Sequence, residues 1–205
     1  WNIIDSYFPY KHLTDKNWDN VLIEYIPYFI TAKNELEYEL IVLKIVGEIH
    51  DTHANIWDGG NKLYYSKGEY YPPFHIRFAE NQFIVDDYFN LEKMEMSGVK
   101  VGDIITHIIG KPVSEIVDSL LIYFPASNSA AKMRDMSYDI LRSQKNEIDI
   151  TYLSSQVSKE EKLTLYKKQE LNYYVWYKPK NEKGYKLVTN DILYLNLAFL
   201  NENDT

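Results

Sequence analysis

His50 and His53 frame the run His50-Asp51-Thr52-His53, with Glu48 just upstream. Two histidines three apart on a helix share a face, so together with Glu48 and Asp51 they could hold a metal ion. The zinc-protease pattern, two histidines four apart with a glutamate between them, is absent. A second reading makes one histidine a general base, the role imidazole fills near neutral pH. A third leaves both as ordinary residues at a helix end, where a histidine cation favours the negative terminus by about 0.3–1 kcal/mol. Residue types alone leave all three open.

A nucleophile is harder to find. No serine stands in a GxSxG turn, and neither GxxxxGK(S/T) nor GxGxxG occurs, so no hydrolase elbow and no phosphate loop is visible. Gly98-Val99-Lys100-Val101-Gly102 lacks the Lys-Ser of a phosphate loop and reads as a turn before DIITHIIG. Ser127-Asn128-Ser129-Ala130-Ala131 offers small polar side chains ahead of a helix, which suits N-capping. There are no cysteines, which excludes a thiol nucleophile, a Cys-ligated zinc and a disulfide scaffold. The 22 basic and 30 acidic residues leave a net charge of -8, against a nucleic-acid partner. The 19 tyrosines are scattered, and most belong in the core or on half-buried strands.

The elements that must position these groups fall into two regions. Residues 1–57 read as helical. Thr14 and Asp15 precede WDNVLIEYIPYFITA, where Trp18, Leu22, Tyr25, Ile26 and Phe29 repeat at helical spacing. Pro27 should kink or divide that helix. A second helix starts at Asn34, with Glu37 placed for a capping box. Leu36, Leu40, Leu43 and Val46 form its expected buried stripe, and it runs out between Gly47 and His53. Asp58-Gly59-Gly60-Asn61 predicts a hairpin turn between NIW and KLYYS. After Pro72-Pro73 the pattern changes to strands: FHIRF, QFIVDDYF and DIITHII. SEIVDSLLIYF and AAKMRDMSYDILR are amphipathic helical stretches separated by Pro125. EIDITYL and EKLTLYKK make a hairpin around SSQVSK. KGYKLV and DILYLNLAFL close the chain as strands, the latter apolar on both faces and so expected to be central in a sheet.

Three segments carry a family resemblance. SGVKVGDIITHIIGKPVSEIV, residues 97–117, resembles the Gly-Asp core of a PDZ domain in the permuted form used by bacterial proteases. LTDKNWDNVLIEYIPYFITAKNELEYELIVLKIVGEIHDTHANIW resembles the helical N-terminal segment of the C-terminal-processing (tail-specific) serine peptidases, particularly their tricorn-like branch. NDILYLNLAFL resembles the strand that opens that family's catalytic α/β core. In the tricorn-like branch a Ser-His or Thr-His pair after the N-terminal helices supplies the base of the serine-protease site, and Thr52-His53 matches that position. The resemblance thus implies His53 as base, with a nucleophilic serine beyond residue 205.

The expected fold is α+β: an N-terminal helical domain (1–71), a PDZ-like β-barrel or sandwich with helices (72–168), and a linker with the first strands of a truncated α/β peptidase core (169–205). The chain begins with Trp1 rather than Met and ends just after a strand-like run, so it reads as a piece of a longer protein. The resemblance implies an exported serine endopeptidase acting on a peptide or protein substrate without a cofactor or metal. The site residues are His53 with Thr52 for catalysis, and Phe74, His75, Ile76 and Arg77 for peptide binding. YPPFHIRF has two prolines without N–H groups and no glycine, so strand addition beside FHIRF is favoured over capture of a free carboxylate. No run of roughly 18 apolar residues is present to span a bilayer. The alternative from another class is a non-catalytic PDZ-type binding module. If His53 is a base, its ring should be accessible, with one nitrogen held by a backbone carbonyl, a hydroxyl or a carboxylate. Thr52 and Asp51 are the nearest sources.

Overall fold

The structure, a computed structural model, describes residues 1–56, 62–173 and 185–195. Helix α1 (Asn2–Tyr7) precedes α2 (Trp18–Thr31), which begins at the Trp18 that opens WDNVLIEYIPYFITA, although its cap is neither Thr14 nor Asp15. Asn17 is its N-cap and accepts the Asp19 N–H at 2.9 Å. Thr14 instead donates its hydroxyl to the Lys11 and Lys16 carbonyls, closing the turn before the helix. Pro27 does not divide α2, which runs through it to Thr31. In α3 (Glu35–Gly47) the Asn34 side chain caps the Glu37 N–H at 3.0 Å. The Glu37 carboxylate reaches back one residue further than a capping box, to the Lys33 N–H at 2.7 Å.

The helical core is Trp18, Val21, Tyr25 and Ile49, with Ile41 and Ile45 of α3 packed against it. Of the expected α3 stripe only Leu43 is buried. The sequence ELEYELIVLKIVG is apolar nearly all round, and α3 uses two faces: one toward α2, the other toward α4 (Lys62–Ser66) and a 3-10 turn at Leu121–Tyr123. KLYYS is therefore helical, not the second strand of a hairpin. Glu39 of α3 caps its start, accepting the Lys62 and Leu63 N–H groups. The expected Asp58–Asn61 turn lies outside the described residues.

Strand β1 (Tyr70–Tyr71) leads to β2 (Phe74–Ala79) and β3 (Gln82–Tyr88); α5 (Leu91–Met96), β4 (Ile104–Ile108) and β5 (Lys111–Pro112) follow. Next come α6 (Val113–Leu120), α7 (Ser129–Ser137), β6 (Glu147–Ser154), β7 (Val157–Thr164) and β8 (Tyr166–Lys167). The main sheet is antiparallel in the order β2-β3-β4-β6-β7, with β5 beside β4, while β1 pairs with β8. Its core runs from Phe74, Ile76, Phe83 and Val85 to Met133, Met136, Ile148, Ile150 and Leu163.

The Gly-Asp run forms the turn into β4. The Asp103 carboxylate accepts the Lys100 N–H at 2.8 Å, and Gly102 takes φ +94°, a conformation that glycine adopts without strain. The hairpin turns Glu80-Asn81 and Ser155-Gln156 both have two successive residues with positive φ, the twist that suits tight hairpins. Strands β9 (Tyr185–Thr189) and β10 (Ile192–Leu195) form a separate antiparallel hairpin whose described residues are all exposed. The strand expected at the centre of a sheet pairs, among the described residues, with β9 alone. No helix among the described residues is long and apolar enough to cross a membrane.

Candidate active site

Helix α3 delivers the candidate base. It stops at Gly47, Ile49 is buried in the helical core, and His50 takes a left-handed φ of 54° that turns the chain away from the helix axis. His50 and His53 therefore do not share a helix face, and the premise of a metal pair is not met. His50 Nε2 lies 3.3 Å from Asp15 Oδ2 instead. Among the described residues no cluster of three or more metal-ligating side chains occurs.

Asp51 to Ala54 form a tight turn, with the Ala54 N–H donating to the Asp51 carbonyl at 3.1 Å. Asp51 Oδ1 accepts the His53 backbone N–H at 2.8 Å and lies 3.1 Å from His53 Nδ1. The His53 backbone N–H is the main reason the Asp51 carboxyl sits below the usual carboxylate range; burial opposes it, and the ring's hydrogen bond and charge add to the lowering. The His53 side chain is 98% exposed. In the tautomer that keeps its proton on Nδ1, beside the carboxylate, the lone pair is on Nε2. The carboxylate, not the hydroxyl, is thus the group beside the ring.

Thr52 turns the other way. Its Oγ1 lies 3.1 Å from Ser127 Oγ and accepts the Ser127 N–H at 3.4 Å. Of the small residues before α7, Asn128 is the N-cap, accepting the Ala131 N–H at 2.9 Å. Sequence reasoning had only capping to offer Ser127, because nothing local signals a partner 75 positions away.

The candidate peptide-binding residues lie on β2, the strand at the end of the main sheet. Phe74 and Ile76 point into the core, and His75 is also buried. Arg77 alone presents most of its side chain to solvent, at 71% exposure. A β-bulge between β2 and β3 after His75 aims Asp86 at both His75 Nδ1 and Arg77 Nε, 2.8 Å from the latter. Burial pushes the Asp86 carboxyl up, but His75 and Arg77 outweigh it and hold the group below its usual range. The helix packed along β2 is α7, the second of the two amphipathic stretches separated by Pro125. Between them lies an open cavity of about 570 Å³ lined by His75, Arg77, Phe78, Arg134, Ser137 and Tyr138. Asp86 was missed in the sequence because only the bulge brings it to His75.

No family model and no curated protein sequence matches the chain. Solved structures of CPAF, a chlamydial serine protease with a tail-specific protease-like fold, do. Mature CPAF matches with a TM-score of 0.53 at 12% identity over 76% of this chain, and its lactacystin complex with a TM-score of 0.52 at the same identity. A mutant form of CPAF matches over 80% of this chain with a TM-score of 0.56, again at 12% identity. The chain spans only 30–32% of the length of those proteins. At this identity the likeness is one of fold: part of a peptidase architecture.

Proposed function

We propose that this chain is the base-bearing, peptide-binding part of an exported serine endopeptidase of the tail-specific class, in its tricorn-like branch. The observation that carries the reading is an exposed imidazole, His53, with its inner nitrogen beside an ionised carboxylate, in a chain that folds like part of a serine protease. His53 Nε2 takes the proton of a serine hydroxyl supplied outside residues 1–205 as that oxygen attacks the peptide carbonyl, and later gives the proton to the leaving amine. Asp51 offsets the positive charge that the ring carries in between. The sheet unit serves as a PDZ-like domain, with an extended peptide laid along β2 in the cleft beside α7. The cleft also supports a second reading, a non-catalytic peptide-binding module, since nothing in the cleft needs His53.

One variant separates the two. In the longer protein His53→Ala should lower the acylation rate by about 10³-fold or more, as loss of a triad member does. The thermal midpoint should hold, because the side chain is almost entirely in solvent. Full activity in His53→Ala refutes the catalytic assignment. Undiminished peptide binding by a chain with no such activity in any form would establish the module instead.

A further inference from the structure

We propose that α2 carries a contact surface for a second copy of this chain, the two helices packing antiparallel about a two-fold axis. Neither the candidate base nor the peptide cleft enters the argument, so it stands apart from the proposed function.

Helix α2 has 14 residues and two apolar faces. One buries Trp18, Val21 and Tyr25 in the helical core. The other carries Ile23, Ile26 and Ile30, which are 70%, 46% and 78% exposed. Ile26, counted from its spacing with the buried face, is nearly half exposed and belongs to this second stripe. A helix laid on a core needs one apolar stripe, and its opposite face is normally polar. A single exposed isoleucine needs no account, but three in line mark a contact surface.

The spacing says what kind. Asp19, Ile23, Ile26 and Ile30 follow one another at intervals of four, three and four, the repeat of a coiled-coil seam. Lys33, three residues further on, continues the line just past the C-cap Ala32. The seam therefore has isoleucine along its middle, an acid at one end and a base at the other, and Asp19 and Lys33 are both exposed.

That polarity selects the occupant and its direction. A parallel copy would set like charge against like charge at both ends. An antiparallel copy, turned about a two-fold axis beside Ile26, sets Asp19 against the partner's Lys33 at both ends and Ile23 beside the partner's Ile30. The helix dipoles then also oppose each other. Such a face is self-complementary, as a two-fold contact requires. The helix is about 21 Å long, and one helix face on each side reaches at most the low end of specific interfaces, about 1,200 Å² in total. The pair should accordingly be weak, with a dissociation constant of about 10–200 µM.

Sedimentation equilibrium of the 205-residue chain between about 5 and 500 µM should show reversible monomer and dimer. Ile23→Lys and Ile30→Lys should each weaken association about tenfold or more and leave the thermal midpoint in place, since both side chains are mostly in solvent. Asp19→Lys and Lys33→Asp should each weaken it about fivefold at low salt. An equimolar mixture of those two single variants should recover it, because both ends of the mixed antiparallel pair again join opposite charges. A copy packed in parallel would lose nothing in either single variant, and that result overturns the antiparallel order. Failure of the mixture to recover overturns it too. A monomer at the highest concentration overturns the whole proposal, as does association that the isoleucine variants leave unchanged. So does association that Leu193→Lys, on the exposed β9-β10 hairpin, abolishes in their place. Should an isoleucine variant lose its fold, the charge exchange still decides.

Discussion

Arg142→Ala is the most informative perturbation of the scaffold behind the candidate base. The Arg142 side chain is 4% exposed and bridges segments far apart in sequence. Its Nε and Nη2 donate to the Gly68 carbonyl at 3.0 and 2.7 Å, and Nη2 also to the Tyr64 carbonyl at 3.1 Å. Nη1 donates to Asp139 Oδ1 at 2.8 Å, and the guanidinium lies over the rings of Tyr64 and Tyr71. Truncation leaves two carbonyls without this donor, but Asp139 keeps Lys67 at 2.6 Å and is not stranded. Breaking a buried ion pair costs about 3–5 kcal/mol, and the retained Lys67 contact places this case near the lower end. A loss of about 3 kcal/mol in a chain of 205 residues corresponds to roughly 6–12 °C in the thermal midpoint. Arg142→Lys keeps the charge but not the fork that spans both carbonyls, so it should recover less than half of the loss. Differential scanning calorimetry of the three chains reads this directly. A shift below about 2 °C in Arg142→Ala would show that the bridge contributes no more than a surface ion pair, and the reasoning would fail.

Gly68→Ala tests the same seam from the other side. Gly68 has φ +101°, and an added Cβ would sit 2.2 Å from the Ser143 carbonyl carbon, so left-handed strain and overpacking together should cost about 2–5 kcal/mol; a thermal midpoint equal to that of the parent would contradict the geometry. Asp86 should make the sheet unit acid-sensitive. Its folded pKa lies below the ordinary carboxylate value, so its contribution is present above about pH 4 and is lost as the pH falls through the folded value. Asp86→Asn should flatten the decline of thermal midpoint between about pH 5 and pH 3, and an unchanged slope would assign the acid sensitivity to other groups.

Where the sequence was legible, local chemistry and tertiary demand agreed. Asn34 with Glu37 names the start of α3 because both cap interactions lie within four residues. FHIRF, QFIVDDYF and DIITHII become β2, β3 and β4 because β-branched and aromatic residues, with glycines between them, leave few other pairings. Where it failed, a distant partner decided. KLYYS has the composition of a strand but becomes helical because Glu39, more than twenty residues earlier, satisfies its first N–H groups. The stripe expected on α3 assumed a single packing face, whereas two neighbours share that helix.

The candidate site divides along the same line. Asp51 and His53 are two residues apart, so a turn alone can join them, and their pairing is within reach of sequence reasoning. The links from Thr52 to Ser127 and from His75 to Asp86 depend on chain topology and a bulge, and no spacing rule contains them. The two kinds of link differ in what encodes them: the contact between Asp51 and His53 is local, whereas that between Thr52 and Ser127 needs the start of α7 in place.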